Sequence, residues 1–270
     1  MKITLLAFLL SSTTCFTQIQ YGNNSSAGHY TSINGIQMYY EIYGSGAPLV
    51  LLHGNGGSIT GHTKRIEYFS KDYKVIAIDS RAHGRSIDTV STLTYEMMAK
   101  DIHDLLDTLH VDSAYIWGQS DGGILALLLA IHYPGKVRKA AGYAINLRPD
   151  TTAVVPEIAL WAEGMFKNAK STKEKQLMNL LKNHPHIPVS DLRKITAPFM
   201  VMMGDRDVIR FEHSIEMFKN IPQGFLFVMP GSTHFGVYEH PAWFNMVVGD
   251  FFRHQFSTTT SLEIFKKFAR

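Results

Sequence analysis

Five short apolar runs recur along the chain, and each one ends in glycine or polar residues. They read PLVLLHG, KVIAID, AYIWG, KAAGYAIN and PFMVMMGD, and they begin at residues 48, 74, 114, 139 and 198. Runs of this kind are typical of strands buried on both faces of a parallel sheet. Ligands bind at the carboxyl ends of such strands, so the residues that follow each run are candidates for function.

Helix-like patterns separate the apolar runs. After Tyr95, apolar residues at positions 98, 102, 105, 106 and 109 follow helix spacing, and Asp101, Asp104 and Asp107 fall on the other side. Upstream, Asn34-Gly35 between two β-rich stretches predicts a hairpin. Strands that alternate with helices predict an α/β fold, with a mostly parallel central sheet and helices on both faces.

Residues 147–195 break this alternation. They hold two helix-like stretches, 158–168 and 172–183, and no strand-like run of their own. We interpret the segment as a short helical cap inserted over the carboxyl edge of the sheet. The alternative is an ordinary crossover helix with a long loop. The length of 270 residues and the 45% hydrophobic content predict one domain over residues 18–270, which includes this cap.

The N-terminal sequence predicts that the protein is exported from the cytoplasm. Residues 1–17 resemble a secretory signal peptide, with one lysine, a short apolar run and then small polar residues, and the run is too short to span a membrane. The chain is therefore expected to be secreted or periplasmic, and lipid anchoring through Cys15 is the alternative. The formal net charge is +3 and the basic residues are scattered, which argues against nucleic-acid binding.

The segment GQSDGG places Ser120 between Gly118 and Gly122, after a predicted strand and before an apolar helix-like stretch. A serine on so sharp a turn is forced into a strained backbone conformation, and side chains two residues away would collide with the neighbouring strand and helix. This pattern is the G-x-S-x-G nucleophile elbow. It predicts that Ser120 is a nucleophile; the alternative is a structural turn with an idle serine.

A serine nucleophile needs a histidine that accepts its proton and an acid that orients the histidine. Among the thirteen histidines, His234 lies in a loop after an apolar run and downstream of Ser120. His53 and His83 lie in glycine turns upstream of the serine. We therefore predict that His234 is the base.

Polar residues after several of the apolar runs supply candidates for the acid and for the oxyanion donors. Asp207 is favoured over Asp205 because it lies further into the loop, and Asp150 is a third choice. The backbone N–H groups of Asn55 and Asp121 are predicted to bind the oxyanion, with the Asn55 side-chain amide as a further donor.

Five motifs in this order resemble the α/β-hydrolase superfamily, over nearly the whole chain after about residue 30. HGNGG resembles its oxyanion loop, DSRAHGRS its D-x-R-G-x-G-x-S turn with Ala82 in place of the usual glycine, GQSDGG its elbow, GDRD its acid loop and STHF its histidine loop. The resemblance implies the α/β-hydrolase fold and a serine hydrolase that cleaves carboxylic esters through an acyl-enzyme.

The elbow is also similar to that of the valacyclovir-hydrolase-like enzymes. That resemblance implies that the Asp121 carboxylate binds a substrate amino group, and the simpler alternative is a hydrogen bond within the elbow.

The expected substrate is a small-molecule ester. Trp161, Met165 and Phe166 in the cap, together with Tyr238 near the histidine loop, are candidates to line its pocket, and the alternative is that they pack onto the core. Other functions stay open: an amidase or aminopeptidase, an amino-acid ester hydrolase, or a binding protein without catalysis. No sequence feature predicts an oligomeric state.

No cofactor or metal is expected from the sequence. The glycines of HGNGG lack the lysine and the serine or threonine of a phosphate-binding loop. His184 and His186 form a two-histidine pattern without a convincing third ligand.

Overall fold

The computed structural model describes residues 19–88 and 92–268. The predicted signal peptide, with Cys15 inside it, lies outside the described residues. None of the described helices is long and apolar enough to cross a membrane.

The described residues form one sheet of eight strands. These are Gly28–Ile33 (β1), Ile36–Tyr43 (β2), Ala47–Leu52 (β3), Tyr73–Ile78 (β4), Ala114–Gln119 (β5), Val137–Tyr143 (β6), Phe199–Gly204 (β7) and Gly224–Met229 (β8). Their order is β1-β2-β4-β3-β5-β6-β7-β8. β2 pairs antiparallel with β1 and β4, and all other neighbours are parallel. The predicted mostly parallel sheet is confirmed.

The described helices are Thr63–Phe69 (α1), Tyr95–Thr108 (α2), Asp121–His132 (α3), Pro156–Lys167 (α4), Thr172–Asn183 (α5), Phe211–Asn220 (α6), Gly236–Glu239 (α7), Pro241–Arg253 (α8) and Ser261–Phe268 (α9). Helices cover both faces of the sheet, whereas α9 is exposed along its length. Buried residues of α2 and α3 pack in one apolar cluster, and those of α1 and α8 pack in another.

Alternate residues of the central strands supply these two clusters. In β3, Val50 and Leu52 belong to the cluster with α2 and α3, whereas Leu49 and Leu51 belong to the cluster with α1 and α8. Successive side chains of a strand point to opposite faces, so an apolar run is what a doubly covered strand requires.

The predicted hairpin joins β1 to β2. Ile33 pairs with Ile36, and the two residues between them are Asn34 and Gly35. Both have positive φ, 44° and 84°, which is the conformation that two-residue hairpins favour and that Asn-Gly tolerates.

The segment between β6 and β7 holds α4 and α5, at the positions of the two predicted helix-like stretches. Ser171 caps α5, since its side chain accepts a hydrogen bond from the N–H of Glu174. Leu177 and Leu180 bury one side of α5 against the core. Outside these helices, Val154 forms an isolated bridge with Ile209.

One expectation for α2 is wrong. Asp101 was assigned to the polar side of the helix, but it is fully buried. Its carboxylate accepts hydrogen bonds from the Arg81 guanidinium, from Nε at 2.5 Å and from Nη2 at 2.9 Å. A buried carboxylate is tolerated when it is paired and hydrogen-bonded in this way.

Candidate active site

Ser120 lies on the turn between β5 and α3, with φ 53° and ψ −120°. A Cβ on Gly118 would lie 2.0 Å from the carbonyl oxygen of Gly122, and a Cβ on Gly122 would lie 2.2 Å from the carbonyl oxygen of Leu52. Both positions therefore require glycine, because any side chain would overlap backbone atoms. The turn places Ser120 at the N-terminus of α3.

A continuous chain of hydrogen bonds joins Ser120 to two predicted partners. His234 Nε2 lies 3.0 Å from Ser120 Oγ, and His234 Nδ1 lies 2.8 Å from Asp207 Oδ1. The Asp207 side chain is fully buried, and Oδ1 also accepts the N–H of Ile209 at 3.0 Å. Because the carboxylate faces Nδ1, Nε2 is the nitrogen that faces the serine.

The competing acids lie elsewhere. Asp205 Oδ1 accepts hydrogen bonds from the N–H groups of Gly231 (2.7 Å) and Ser232 (3.3 Å), so it supports the turn that precedes the histidine loop. Asp150 accepts the N–H of Thr152 at 2.8 Å. The structure thus brings Asp207 to His234 and assigns the other two carboxylates to local turns.

The predicted oxyanion donors lie on two segments beside Ser120. Asp121 is the first residue of α3, and Asn55 belongs to the loop after β3. A Cβ on Gly54 would lie 3.1 Å from Ser120 Cβ, which shows how closely the Asn55 loop approaches the serine. Within the described part of the chain, no hydrogen-bond acceptor is paired with the N–H of Asn55.

The Asn55 side chain does not point its amide at the serine, contrary to expectation. Its Nδ2 donates to Asp121 Oδ2 at 3.0 Å and to the carbonyl oxygen of Leu177 in α5 at 3.3 Å. The side-chain amide is therefore used to join the elbow, the loop after β3 and the cap.

The Asp121 carboxylate is enclosed. The residue is 2% exposed, and its second oxygen accepts a hydrogen bond from the hydroxyl of Tyr95 at 2.8 Å. Burial raises the pKa of Asp121 to about 6, while the hydrogen bonds from Tyr95 and Asn55 oppose the rise. Both oxygens already have partners, so the geometry favours a structural hydrogen-bonding role over contact with a substrate amino group.

A cavity of about 870 Å³ opens above Ser120. Trp161, Met165 and Tyr238 line it, as predicted, but Phe166 does not. The Phe166 ring lies beneath Lys182 Nζ, which is 4.4 Å from the ring centroid. One residue along a helix turns the side chain by about 100°, so Met165 and Phe166 face different neighbours.

The cavity wall is mainly apolar and carries few charges. Its charged lining residues are Glu163, Glu174 and Lys182. Lys182 forms an ion pair with Glu163, which joins α5 to α4, and Glu163 is also 3.3 Å from Lys167. Tyr95 and Lys182 are site residues that sequence reasoning missed, because their helix patterns carry no sign of the cavity they face.

The described residues contain one group that could hold a metal ion, His103, Asp104 and Asp107 on α2. Lys100 pairs with Asp104 and Lys136 pairs with Asp107, so lysines neutralise both carboxylates. The group lies apart from the lining of the Ser120 cavity.

Two known proteins align with this chain over most of their own length. A 2-hydroxy-6-oxononadienedioate/2-hydroxy-6-oxononatrienedioate hydrolase from Burkholderia vietnamiensis is 27% identical over 263 residues, covering 81% of this chain and 91% of that protein. The serine hydrolase BPHL from Homo sapiens is 26% identical over 230 residues, covering 75% of this chain and 78% of that protein.

A solved structure and a family model also match. The structure is described as an N-acyl homoserine lactone degrading enzyme; it is 25% identical, with a TM-score of 0.68, and the match covers 83% of this chain and all of that chain. Residues 47–186, just over half of the chain, match the family model for the alpha/beta hydrolase fold. With its sheet, its elbow and these matches, the chain belongs to the α/β-hydrolase fold family.

Proposed function

We propose that this hydrolase cleaves carboxylic esters through an acyl-enzyme on Ser120. The observation that carries the proposal is the unbroken hydrogen-bond chain from Ser120 Oγ through His234 to Asp207. His234 Nε2 accepts the hydroxyl proton as Oγ attacks the ester carbonyl. The imidazolium then donates that proton to the leaving alcohol as the C–O bond breaks. A water molecule, deprotonated by the same nitrogen, then attacks the acyl carbonyl, and the proton passes to Ser120 Oγ as the acyl–oxygen bond breaks and the acid leaves.

The N–H groups of Asn55 and Asp121 are proposed to bind the oxyanion of the tetrahedral intermediates. Asp121 lies at the N-terminus of α3, where free N–H groups favour negative charge. The Asn55 loop also lies close to the serine, since a Cβ on Gly54 would be 3.1 Å from Ser120 Cβ. Loss of one such donor typically lowers kcat by about 10²–10³-fold.

The charges around the cavity favour an uncharged acyl group. Two carboxylates, Glu163 and Glu174, and one ammonium, Lys182, line the described cavity, and the ammonium is paired with Glu163. An anionic acyl group would find no unpaired lysine or arginine along this wall. The apolar remainder of the lining suits a medium-chain acyl group or a bulky alcohol.

Hydrolysis of a carbon–carbon bond is the second candidate. The Burkholderia vietnamiensis relative, which aligns over 81% of this chain, is named as a hydrolase of 2-hydroxy-6-oxononadienedioate, and a substrate of that name has no ester or amide bond to cleave. The substrates in that name are dioates, which carry two carboxylates. The cavity charges described above argue against such a substrate here.

The test compares p-nitrophenyl acetate, butyrate and octanoate as substrates for the protein, for Ser120→Ala and for a control, Ser32→Ala, at an exposed position of β1. We expect Ser120→Ala to lose activity by about 10³-fold or more and Ser32→Ala to keep it. Activity that survives Ser120→Ala would remove Ser120 as the nucleophile.

Charge and bond type are tested with matched substrates. A p-nitrophenyl ester of octanedioic acid, with one free carboxylate, should have a kcat/KM at least about tenfold below that of the octanoate, a difference of roughly 1.4 kcal/mol.

If the protein hydrolyses octanoyl p-nitroanilide as fast as the octanoate ester, it is an amidase. If it hydrolyses a dienedioate faster than the esters, it catalyses the carbon–carbon reaction. A folded protein that turns over none of these substrates and does not react with a fluorophosphonate would indicate binding without catalysis.

We also propose that the reaction takes place outside the cytoplasm, on the strength of the sequence of residues 1–17. N-terminal sequencing of the mature protein from the periplasm or medium should find Gln18 or a close neighbour. Full-length protein confined to the cytoplasm would contradict export.

A further inference from the structure

We propose that His53 positions the backbone N–H of Asn55 for oxyanion binding. This role rests on the ester hydrolysis proposed above. The histidine directly follows β3 and precedes the glycine-rich loop that approaches Ser120, and it is 2% exposed. Its ring nitrogens contact two backbone groups, the carbonyl oxygen of Gly54 and the N–H of Ser80.

These contacts fix the protonation of the ring. The N–H of Ser80 can only donate, so His53 Nε2 accepts it at 3.1 Å. In a neutral imidazole the other nitrogen then carries the proton, and Nδ1–H donates to the carbonyl oxygen of Gly54 at 2.8 Å. Burial, with a smaller contribution from the nearby His83, lowers the pKa of His53 to about 3, so the ring stays neutral near pH 7.

The bond to Gly54 sets the direction of the next N–H. In a trans peptide the carbonyl of one residue and the N–H of the following residue point in opposite directions. The carbonyl oxygen of Gly54 accepts a second bond, from the N–H of Gly57 at 3.0 Å. Two donors therefore hold this carbonyl and aim the N–H of Asn55 the other way.

The loop needs such an anchor because Gly54, Gly56 and Gly57 give it wide backbone freedom. Rotation of the Gly54–Asn55 peptide would turn the N–H away from Ser120 and aim a carbonyl oxygen at it. A carbonyl oxygen would repel the developing oxyanion instead of stabilising it. On the Asn55 side of this peptide, the Asn55 side chain is hydrogen-bonded to Asp121. On the Gly54 side, His53 holds the carbonyl oxygen.

Two substitutions separate the contacts of the ring. His53→Asn places an amide N–H near the position of Nδ1, so it keeps a donor for Gly54 and loses the acceptor for Ser80. His53→Gln places its amide near Nε2, so it keeps the acceptor and loses the donor. Each variant loses one buried hydrogen bond, so a purely structural role predicts similar effects on stability and activity.

We expect His53→Gln to lower kcat about 10²-fold with little change in KM, because the lost interaction acts on the transition state. His53→Asn should keep kcat within about fivefold. The affinity of a boronic acid, whose tetrahedral adduct resembles the intermediate, should fall with kcat in His53→Gln. Equal losses of kcat in both variants, or a change confined to KM, would overturn the proposal.

A measurement on the unsubstituted protein applies even where a variant does not fold. ¹⁵N NMR of labelled protein, with His53 identified by the coupling of its Nε2 to the hydrogen-bonded N–H of Ser80, should show His53 as the neutral Nδ1–H tautomer from pH 5 to pH 8. An Nε2–H tautomer, or titration in that range, would overturn the proposal. The tautomer is observed without turnover, so this result is independent of whether the ester hydrolysis itself proves correct.

Discussion

Asn55 Nδ2 lies 3.0 Å from Asp121 Oδ2, so the two residues proposed to supply oxyanion N–H groups also bind each other through their side chains. The same amide reaches the carbonyl oxygen of Leu177 in α5. One side chain thus sets the spacing between two donors and links both to the cap. The consequence can be measured by removing the amide while the backbone N–H stays in place.

Asn55→Leu should destabilise the protein and lower kcat modestly. The substitution leaves the buried Asp121 carboxylate with one donor fewer, which costs about 1–3 kcal/mol of unfolding free energy. Because the backbone N–H remains, kcat should fall by about tenfold or less. Urea unfolding and steady-state kinetics measure the two effects. A loss of kcat above about 10³-fold would mean that the side-chain amide itself takes part in the chemistry.

Asp121→Asn should change how stability depends on pH. Burial raises the pKa of Asp121 from 3.8 to about 6. Between about pH 4 and pH 6 the folded state therefore holds a proton that the unfolded state has released, and the unfolding free energy falls as pH rises through this window. The asparagine variant lacks this fall, so its stability relative to the parent should improve by roughly 2–3 kcal/mol from pH 4 to pH 7.

Urea unfolding of both proteins at pH 4, 5, 6 and 7 measures this difference, and parallel stability curves would contradict it.

The same variant tests whether the Asp121 carboxylate recognises a substrate amino group. Because both carboxylate oxygens are already bonded, Asp121→Asn should affect valine and butyrate esters to a similar extent. A selective loss of the amino ester would restore the carboxylate as a substrate contact.

Asp207→Asn should lower kcat by about 10⁴-fold, because the amide stabilises the wrong tautomer of the histidine. Asp205→Asn is the matched control in the same loop. Its contacts are the N–H groups of Gly231 and Ser232, so it should lower the thermal midpoint and leave kcat within about tenfold. Steady-state kinetics on p-nitrophenyl butyrate ranks the two variants, and the reverse ranking would assign the acid to Asp205.

Gly118→Ala should prevent folding or cost more than about 4 kcal/mol, because its Cβ would overlap the carbonyl of Gly122 at 2.0 Å. Gly135→Ala tests the same chemical change at a position with nothing within 4 Å of the added Cβ. It should leave the unfolding free energy within about 0.5 kcal/mol. Soluble expression and denaturant unfolding compare the two, and equal stability would contradict the steric account of the elbow.

Local patterns were enough to predict the architecture and the position of Ser120, since strand runs, helix spacing and the glycine elbow are each encoded within a few residues. The same patterns identified His234 and Asp207 as candidates, because the residues that follow parallel strands lie at the same edge of the sheet. Contacts between residues that are far apart in the sequence could not be predicted. Asn55 and Asp121 are 66 residues apart, and no pattern indicates that their side chains meet. Phe166 was misplaced because its orientation depends on where α5 packs.

The cavity walls and the proposed reacting groups come from different parts of the chain. Ser120, Asp207 and His234 follow β5, β7 and β8, whereas much of the wall above them belongs to α4 and α5, which enter between β6 and β7. Selectivity can therefore be redesigned by grafting a different helical pair between those two strands. The point of contact to preserve in such a chimera is the carbonyl at position 177, which receives the Asn55 amide.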